Sequence, residues 1–406
     1  MILGLLVPAL NHGGGVPAVA RFVKDVALRG GSFELKLVSL SMDSADPCSM
    51  NVIQPRTWTR GVACAEGQWE GLPFTHVGAS FGEFEFQRYK PRAALTCLLS
   101  DCDLIQVVCG SPAWANAVLG LGKPVALQVA TRSKVERRHR ATGAQGPVNW
   151  WRRGMTRITD RMDDRALRHV DAIQVENPWM LDYVRALNVR RAVDIRYAPP
   201  GIDARAFCPT SMRDLCQAPY ILCVGRLDDP RKNPAMLLEA YACLPARLRD
   251  GVRLVLAGAA SPPAAFWARA GTLGLRERIS FVERPDQVAL VSLYQRAAVF
   301  ALPSDEEGFG MVVVEAMACG IPVVATRCGG PDGIITDGED GYLVPRDDIG
   351  AMADRLTRLL SDPPTNRAMG AKARETVERR YEERLAGEAF VDAWNRLLRK
   401  TRLTGL

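Results

Sequence analysis

Histidine is scarce in this chain, four in 406 residues, and the eleven cysteines stand singly. No CxxC pair occurs and no Cys/His cluster has zinc-finger spacing, which excludes a small disulfide scaffold or a zinc-finger module. An odd cysteine count, in settings such as Ile221-Leu222-Cys223-Val224, reads as small buried hydrophobes in a reducing compartment. No run of about 18 apolar residues exists, so no segment is expected to span a membrane. The start, Met1-Ile2-Leu3-Gly4-Leu5-Leu6-Val7, has no basic stretch before its apolar run and reads as a first buried strand, not a signal peptide. The cytosol, or the inner face of a membrane, is the expected location. Low-complexity tracts and short-period repeats are missing too. With 48% apolar and 24% charged residues, the disordered and fibrous classes are excluded.

What is present is chain enough for two or three domains. Short apolar strands are expected at 2–7, 35–40, 104–108, 125–129 and 172–175, interleaved with helical spacing such as Val16–Arg29. That alternation argues for a parallel sheet covered on both faces. Prolines at 199, 200, 209 and 219 break the pattern, which restarts with strands at 220–224, 253–256, 279–282, 299–302 and 322–325. Two α/β halves follow, with the domain boundary expected between 205 and 206. The last helix, about 383–406, carries Phe390, Trp394, Leu397 and Leu398 at helical spacing.

The second half holds the most informative chemistry. After the strand 299–302, an acidic, glycine-rich loop (Asp305-Glu306-Glu307-Gly308-Phe309-Gly310) opens a helix containing Glu315. Glycines let a backbone approach a ligand closely, and a helix N-terminus offers free N–H groups to an anion. Glu306 and Glu307 also fit a plain role complementing the helix dipole. Glu315, however, is flanked by Val312, Val313, Val314, Ala316 and Met317, where an idle carboxylate is costly. Upstream, Gly225-Arg226 through Lys232-Asn233 follow the strand 220–224, on the sheet edge where α/β proteins bind ligands. A guanidinium fork and an ammonium suit a pyrophosphate.

Together with Gly329-Gly330-Pro331, these motifs resemble retaining glycosyltransferase family 4 in detail over about 197–380, and more loosely in Gly13-Gly14-Gly15 and Pro200-Gly201-Ile202-Asp203. The resemblance implies a GT-B fold, two Rossmann-like α/β domains with parallel sheets facing across a cleft, the last helix crossing back to the first domain. It implies that Arg226 and Lys232 bind a nucleotide-sugar diphosphate and that Glu315 holds the ribose. Glu307, with the backbone of Gly308, Phe309, Gly310, Met311 and Val312, would contact the donor sugar and its phosphate. Arg284 would border the base, and Gly14 and Gly15 would approach the diphosphate from the first domain. Retention of configuration also comes from the resemblance alone. No cofactor is expected. The one Asp-x-Asp, Asp101-Cys102-Asp103, precedes a strand and reads as a turn, so Arg226 and Lys232 are expected to replace a metal's charge.

Family members often carry a histidine after the strand equivalent to 124–129, and here Thr131 or Arg132 stands there instead. His12, Thr131, Arg132, Lys134, Arg137 and Arg138 are the acceptor-side candidates. The net charge of +7 is local: residues 131–168 hold eleven basic and four acidic residues, leaving 41 of each elsewhere. Within the segment, Trp151, Met155, Ile158 and Met162 form one expected stripe, and Arg153, Arg157, Arg161 and Arg165 another. The stripe reads as a solvated arginine face. The loop 132–140 reads as a site for an anionic acceptor or a contact to an acidic membrane surface. The expected partners are therefore a nucleotide-sugar donor, an anionic or lipid-linked saccharide acceptor, and no nucleic acid. A sugar-nucleotide epimerase, a phosphorylase and a non-catalytic nucleotide-sugar binder are the competing readings.

Overall fold

The computed structural model describes residues 1–8, 10, 14–137, 147–210 and 218–404. They form two compact units, one of Met1–Pro200 with Ala386–Leu406, the other of Gly201–Leu385. The boundary lies at 200/201, ahead of the expected 205/206. Its physical reason is hydrogen bonding: Ile202 N–H donates to Tyr381 O at 2.8 Å. The Arg374 guanidinium also donates to the carbonyls of Ala204, Phe207 and Ala318.

In the first unit the strands are β1 (Ile2–Pro8), β2 (Glu34–Leu40), β3 (Cys64–Trp69), β4 (Leu72–Val77), β5 (Leu104–Cys109), β6 (Val125–Val129), β7 (Ala172–Val175) and β8 (Asp194–Tyr197). Their order is β3-β4-β2-β1-β5-β6-β7-β8. All pairings are parallel except the hairpin β3–β4, which places an antiparallel strand at one edge. Sequence pattern alone did not mark that hairpin or β8. The second unit holds β9 (Tyr220–Val224), β10 (Arg253–Gly258), β11 (Ile279–Glu283), β12 (Val299–Leu302), β13 (Val323–Thr326) and β14 (Tyr342–Val344), in the order β11-β10-β9-β12-β13-β14. That is the doubly wound order, with its switch point between β9 and β12.

Alternation along the strands divides each core in two. Tyr220, Leu222 and Val224 of β9 pack into one apolar cluster, while Ile221 and Cys223 pack into the other. In the first unit, Leu3, Leu5 and Val7 of β1 face helix α1 (Gly15–Arg29), and Leu6 faces the opposite layer. Helix α2 (Pro147–His169) covers that opposite layer with Ala166 and Leu167. The expected stripe is corrected here. Met155, Thr159, Asp163 and Ala166 are buried, whereas Trp151 and Ile158 are exposed, because the helix turns its Thr159–Asp163 side to the sheet. Helix α3 (Met311–Ala318) lies in the second unit. The final helix α4 (Glu383–Thr404) buries Phe390, Trp394, Leu397 and Leu398 on the first unit, edge-on to Phe22 and Phe33 at 5.3 and 5.4 Å.

Of the ten described cysteines, all free, Cys64, Cys97 and Cys243 are exposed, which corrects the expectation of uniformly buried thiols. Among the described residues, no helix is long and apolar enough to cross a membrane.

Candidate active site

The carboxyl ends of β9 and β12, neighbours at the switch point, bring the second unit's chemistry together. Glycine makes the close approach possible: a Cβ on Gly258 would lie 2.0 Å from Gly225 O, and one on Gly330 would lie 1.9 Å from Phe309 O. After Gly225 the chain makes a short 3₁₀ turn, Pro230–Lys232, started by Asp229, whose carboxylate accepts from Arg231 N–H. Asn233 follows in the left-handed region (φ 43°) and caps the next helix through Met236 N–H. Its amide also donates to Asp305 at 3.0 Å, tying the β9 loop to the β12 loop.

Two sequence candidates meet directly. Lys232 Nζ lies 2.6 Å from Glu307 Oε1, which also accepts from Ser304 Oγ at 2.7 Å. The Glu307 backbone is fixed as well, donating to Cys328 O and accepting from Gly330 N–H. Arg226 is half exposed, with Asp229 3.6 Å away. Burial works against ionising Asp229, but hydrogen bonds from Arg231 outweigh it and bring the carboxyl from 3.8 down to about 2. Arg231 spans Asp229 of the β9 loop and Glu306 of the β12 loop and so braces one loop against the other, a role the sequence did not single out.

Gly310 begins α3 with φ 103°, a conformation that L side chains rarely adopt. The first-turn N–H groups of a helix lack intrahelical acceptors, and here they belong to Met311 and Val312 beside the Gly308–Gly310 loop. Glu315, one face further along, accepts from the hydroxyl of the fully buried Tyr294 at 2.7 Å. That bond holds the carboxylate in its apolar surroundings, and sequence could not pair the two residues. Arg284 is exposed at the end of β11 with φ 45°, its Nε donating to Ala259 O.

The first unit's candidates are more dispersed. Gly14 (φ 132°) and Gly15 start α1 after β1, with open space where a Cβ would sit. Thr131 is buried. Arg132 pairs with Asp160 and Asp164 at 2.8 and 2.9 Å and stacks on Tyr183, so its charge is already met within the unit. Arg137 pairs with Glu85. Lys134 alone of these four is exposed. His12 and Arg138 lie outside the described residues. Asp163, in sequence only one of four acids in the basic segment, is fully buried and accepts from Ser111 Oγ, Ala113 N–H and Ser133 N–H, pinning the loops after β5 and β6. Burial still pushes its carboxyl up to about 6. The Asp101–Asp103 turn is structural: Asp101 pairs with Lys36 and Asp103 accepts from Ile2 N–H.

Residues 216–376 match the family Glycosyl transferases group 1. A D-inositol 3-phosphate glycosyltransferase of Mycolicibacterium smegmatis is 37% identical over 188 residues, 43% of this chain and 41% of the relative. A GDP-mannose-dependent alpha-(1-6)-phosphatidylinositol monomannoside mannosyltransferase from the same organism is 33% identical over 213 residues, 49% of this chain and 55% of that one. The chain thus spans about half the length of these curated relatives. Among solved structures, sucrose-phosphate synthase of Thermosynechococcus elongatus superposes with a TM-score of 0.73 at 20% identity, covering 98% of this chain and 99% of that one.

Proposed function

Since the chain has the GT-B fold and its residues 216–376 match the group 1 glycosyltransferases, we propose that it is a retaining, metal-independent hexosyltransferase using a nucleotide-diphosphate sugar. The observation that carries this reading is the Lys232–Glu307 contact at the β9/β12 switch point, with Arg226 and the glycine loop beside it. In the reaction the bond from the anomeric carbon to the diphosphate oxygen breaks, and the nucleoside diphosphate leaves with the bonding pair. Arg226 and Lys232 offset that negative charge as it develops, the term that lowers such barriers most. Glu307 positions Lys232 and, through the fixed Gly308–Gly310 backbone, borders the sugar. Glu315, held by Tyr294, receives the ribose hydroxyls. The acceptor hydroxyl forms the new glycosidic bond and passes its proton to the departing diphosphate oxygen.

A UDP-sugar is the first donor to test, and GDP-mannose, which one relative uses by its name, the second. The acceptor is a phosphorylated or lipid-linked saccharide or polyol; the name of another relative specifies a phosphorylated acceptor. Arg132 and Arg137 spend their charge on internal acids. Among the described cations of the loop, that leaves Lys134, and a contact to an acidic cytoplasmic membrane face draws also on α2. There Arg152, Arg153, Arg157, Arg161, Arg165 and Arg168 are exposed beside Trp150, 81% exposed, and Trp151.

The test combines thermal shift against UDP, GDP, ADP and their sugars with nucleoside diphosphate release in the presence of acceptor. One nucleotide family should raise Tm, because a ligand bound only by the folded state stabilises it. Lys232→Ala should lower turnover about 10²–10³-fold, the range for removing one charge-stabilising donor. Labelled donor that is epimerised or phosphorolysed instead of transferred would move the protein to another activity on this fold. Unchanged turnover in both Lys232→Ala and Glu307→Ala would remove the site assignment.

A further inference from the structure

Away from the residues assigned to sugar transfer, the first unit gathers three metal-ligating side chains of different chemistry. Asp46, Cys48 and His76 each offer one ligand atom, and these atoms all lie within 4.8 Å of one another. They come from two places far apart in sequence: the loop that leaves β2 and the carboxyl end of β4. His76 is the register partner of Ser39 on β2. The sequence shows no zinc-type spacing because the sheet, not a local motif, brings the residues together.

The surroundings hold the three in place. Asp46 Oδ1 accepts from Cys48 N–H at 3.0 Å, which turns Oδ2 toward His76 Nε2 at 3.2 Å. Cys48 carbonyl accepts from Ala63 N–H, and its oxygen occupies the space that a Cβ on Gly78 would need, 2.0 Å away. The Ser49 hydroxyl ties the loop to Asp46 and accepts from Ala79 N–H. On its far side, His76 Nδ1 lies 3.1 Å from Ser39 Oγ. When Nδ1–H donates there, Nε2 turns a lone pair toward a carboxylate oxygen and a sulfur. Such a contact is repulsive unless a proton or a cation lies between.

We propose that Asp46 Oδ2, Cys48 Sγ and His76 Nε2 bind a divalent cation of the zinc class, with water completing a tetrahedron. A thiolate, an imidazole and a carboxylate form a donor set of zinc-like softness, unlike the all-oxygen sets that select magnesium or calcium. Ser39 acts as the outer-shell acceptor that fixes the imidazole. The ion staples the loop 41–50 to β4 and takes no part in sugar transfer.

The test uses the full chain, stripped with a chelator and titrated with Co²⁺ as a spectroscopic probe, followed by Zn²⁺. One thiolate-to-cobalt charge-transfer band per chain is expected, with the intense visible bands of tetrahedral cobalt, both removed by Zn²⁺. Cys48→Ser should lose the charge-transfer band. Ser39→Ala, which leaves all three ligands in place, should weaken binding ~10–100-fold, the usual cost of losing an outer-shell partner. A Cys64→Ser/Cys97→Ser/Cys243→Ser variant, lacking the exposed thiols, should bind like the wild type. A wild-type chain that shows no thiolate band, or a band that persists in Cys48→Ser, would overturn the site and leave His76 and Asp46 as a hydrogen-bonded pair without an ion.

Discussion

Glu176 is a fully buried carboxyl at the end of β7, reached by an amide N–H of Gln128. Burial pushes its pKa from 4.5 up to about 7, and the single hydrogen bond opposes this only in part. The folded state therefore binds a proton that the unfolded chain gives up earlier. The stability this contributes is complete below pH 4.5 and is lost as pH rises through about 7. Melting curves should show Tm falling across that window. Glu176→Gln, which is neutral throughout, should flatten the fall by roughly 3 kcal/mol at high pH, at 1.36 kcal/mol per pKa unit. A wild-type profile parallel to the variant's would show that Glu176 is not the group responsible. At this scale sequence reading located Lys232 and Glu307, which prove to be each other's partners, and Glu315, but neither Ser304 nor Tyr294, which hold the two glutamates. An apolar setting told that Glu315 must be satisfied, while Tyr294, twenty-one positions earlier, is found only in the fold. The pairing of Arg132 with Asp160 and Asp164 was out of reach for the same reason, since counting charges along a segment does not show which of them neutralise one another.

Among elements, α4 owes its burial to a pattern that was legible: Phe390, Trp394, Leu397 and Leu398 repeat at helical spacing. What the pattern could not show was the polar end of the contact. Trp394 Nε1 donates to Gln106 Oε1 at 2.7 Å, in the middle of β5. Trp394→Ala should lower stability by about 3–5 kcal/mol from lost packing. Trp394→Phe keeps most of the ring but strands Gln106, at about 1–3 kcal/mol. Chemical denaturation of both variants checks the order; equal losses would mean that the ring's packing contributes nothing, and a Trp394→Phe variant as stable as the wild type would mean the same of the hydrogen bond. The central strands were legible to within a residue or two because both faces are buried and the apolar run is unbroken. The edge hairpin β3–β4 was not. Its first strand reads Cys-Ala-Glu-Gly-Gln-Trp and is mostly exposed, so hydrophobicity leaves little trace of it.

For the molecule as a whole, the net charge of +7 resides in one segment, and the structure divides that segment into paired and exposed parts. Arg132 and Arg137 are paired, whereas the α2 arginines face solvent beside Trp150 and Trp151. Binding to vesicles containing anionic phospholipid should weaken with added salt. It should fall roughly tenfold or more in an Arg157→Glu/Arg161→Glu variant, given about 1 kcal/mol per basic residue near such a surface. Nucleoside diphosphate release with a soluble acceptor should be unaffected. Equal vesicle binding by wild type and variant would assign the arginines to solubility alone.

The path of the chain has one more consequence. The first unit is assembled from both ends of the polypeptide, 1–200 and 386–406. On the ribosome its sheet therefore emerges long before the helix that seals one of its faces. The intervening 185 residues take roughly ten to forty seconds to synthesise at ~5–20 residues per second. Throughout that interval Phe22, Phe33 and the carbonyl of Gln106 lack the aromatic rings and the indole that later cover them. Until α4 is made, that face of the first unit lacks its cover, whereas the whole chain of the second unit is already synthesised.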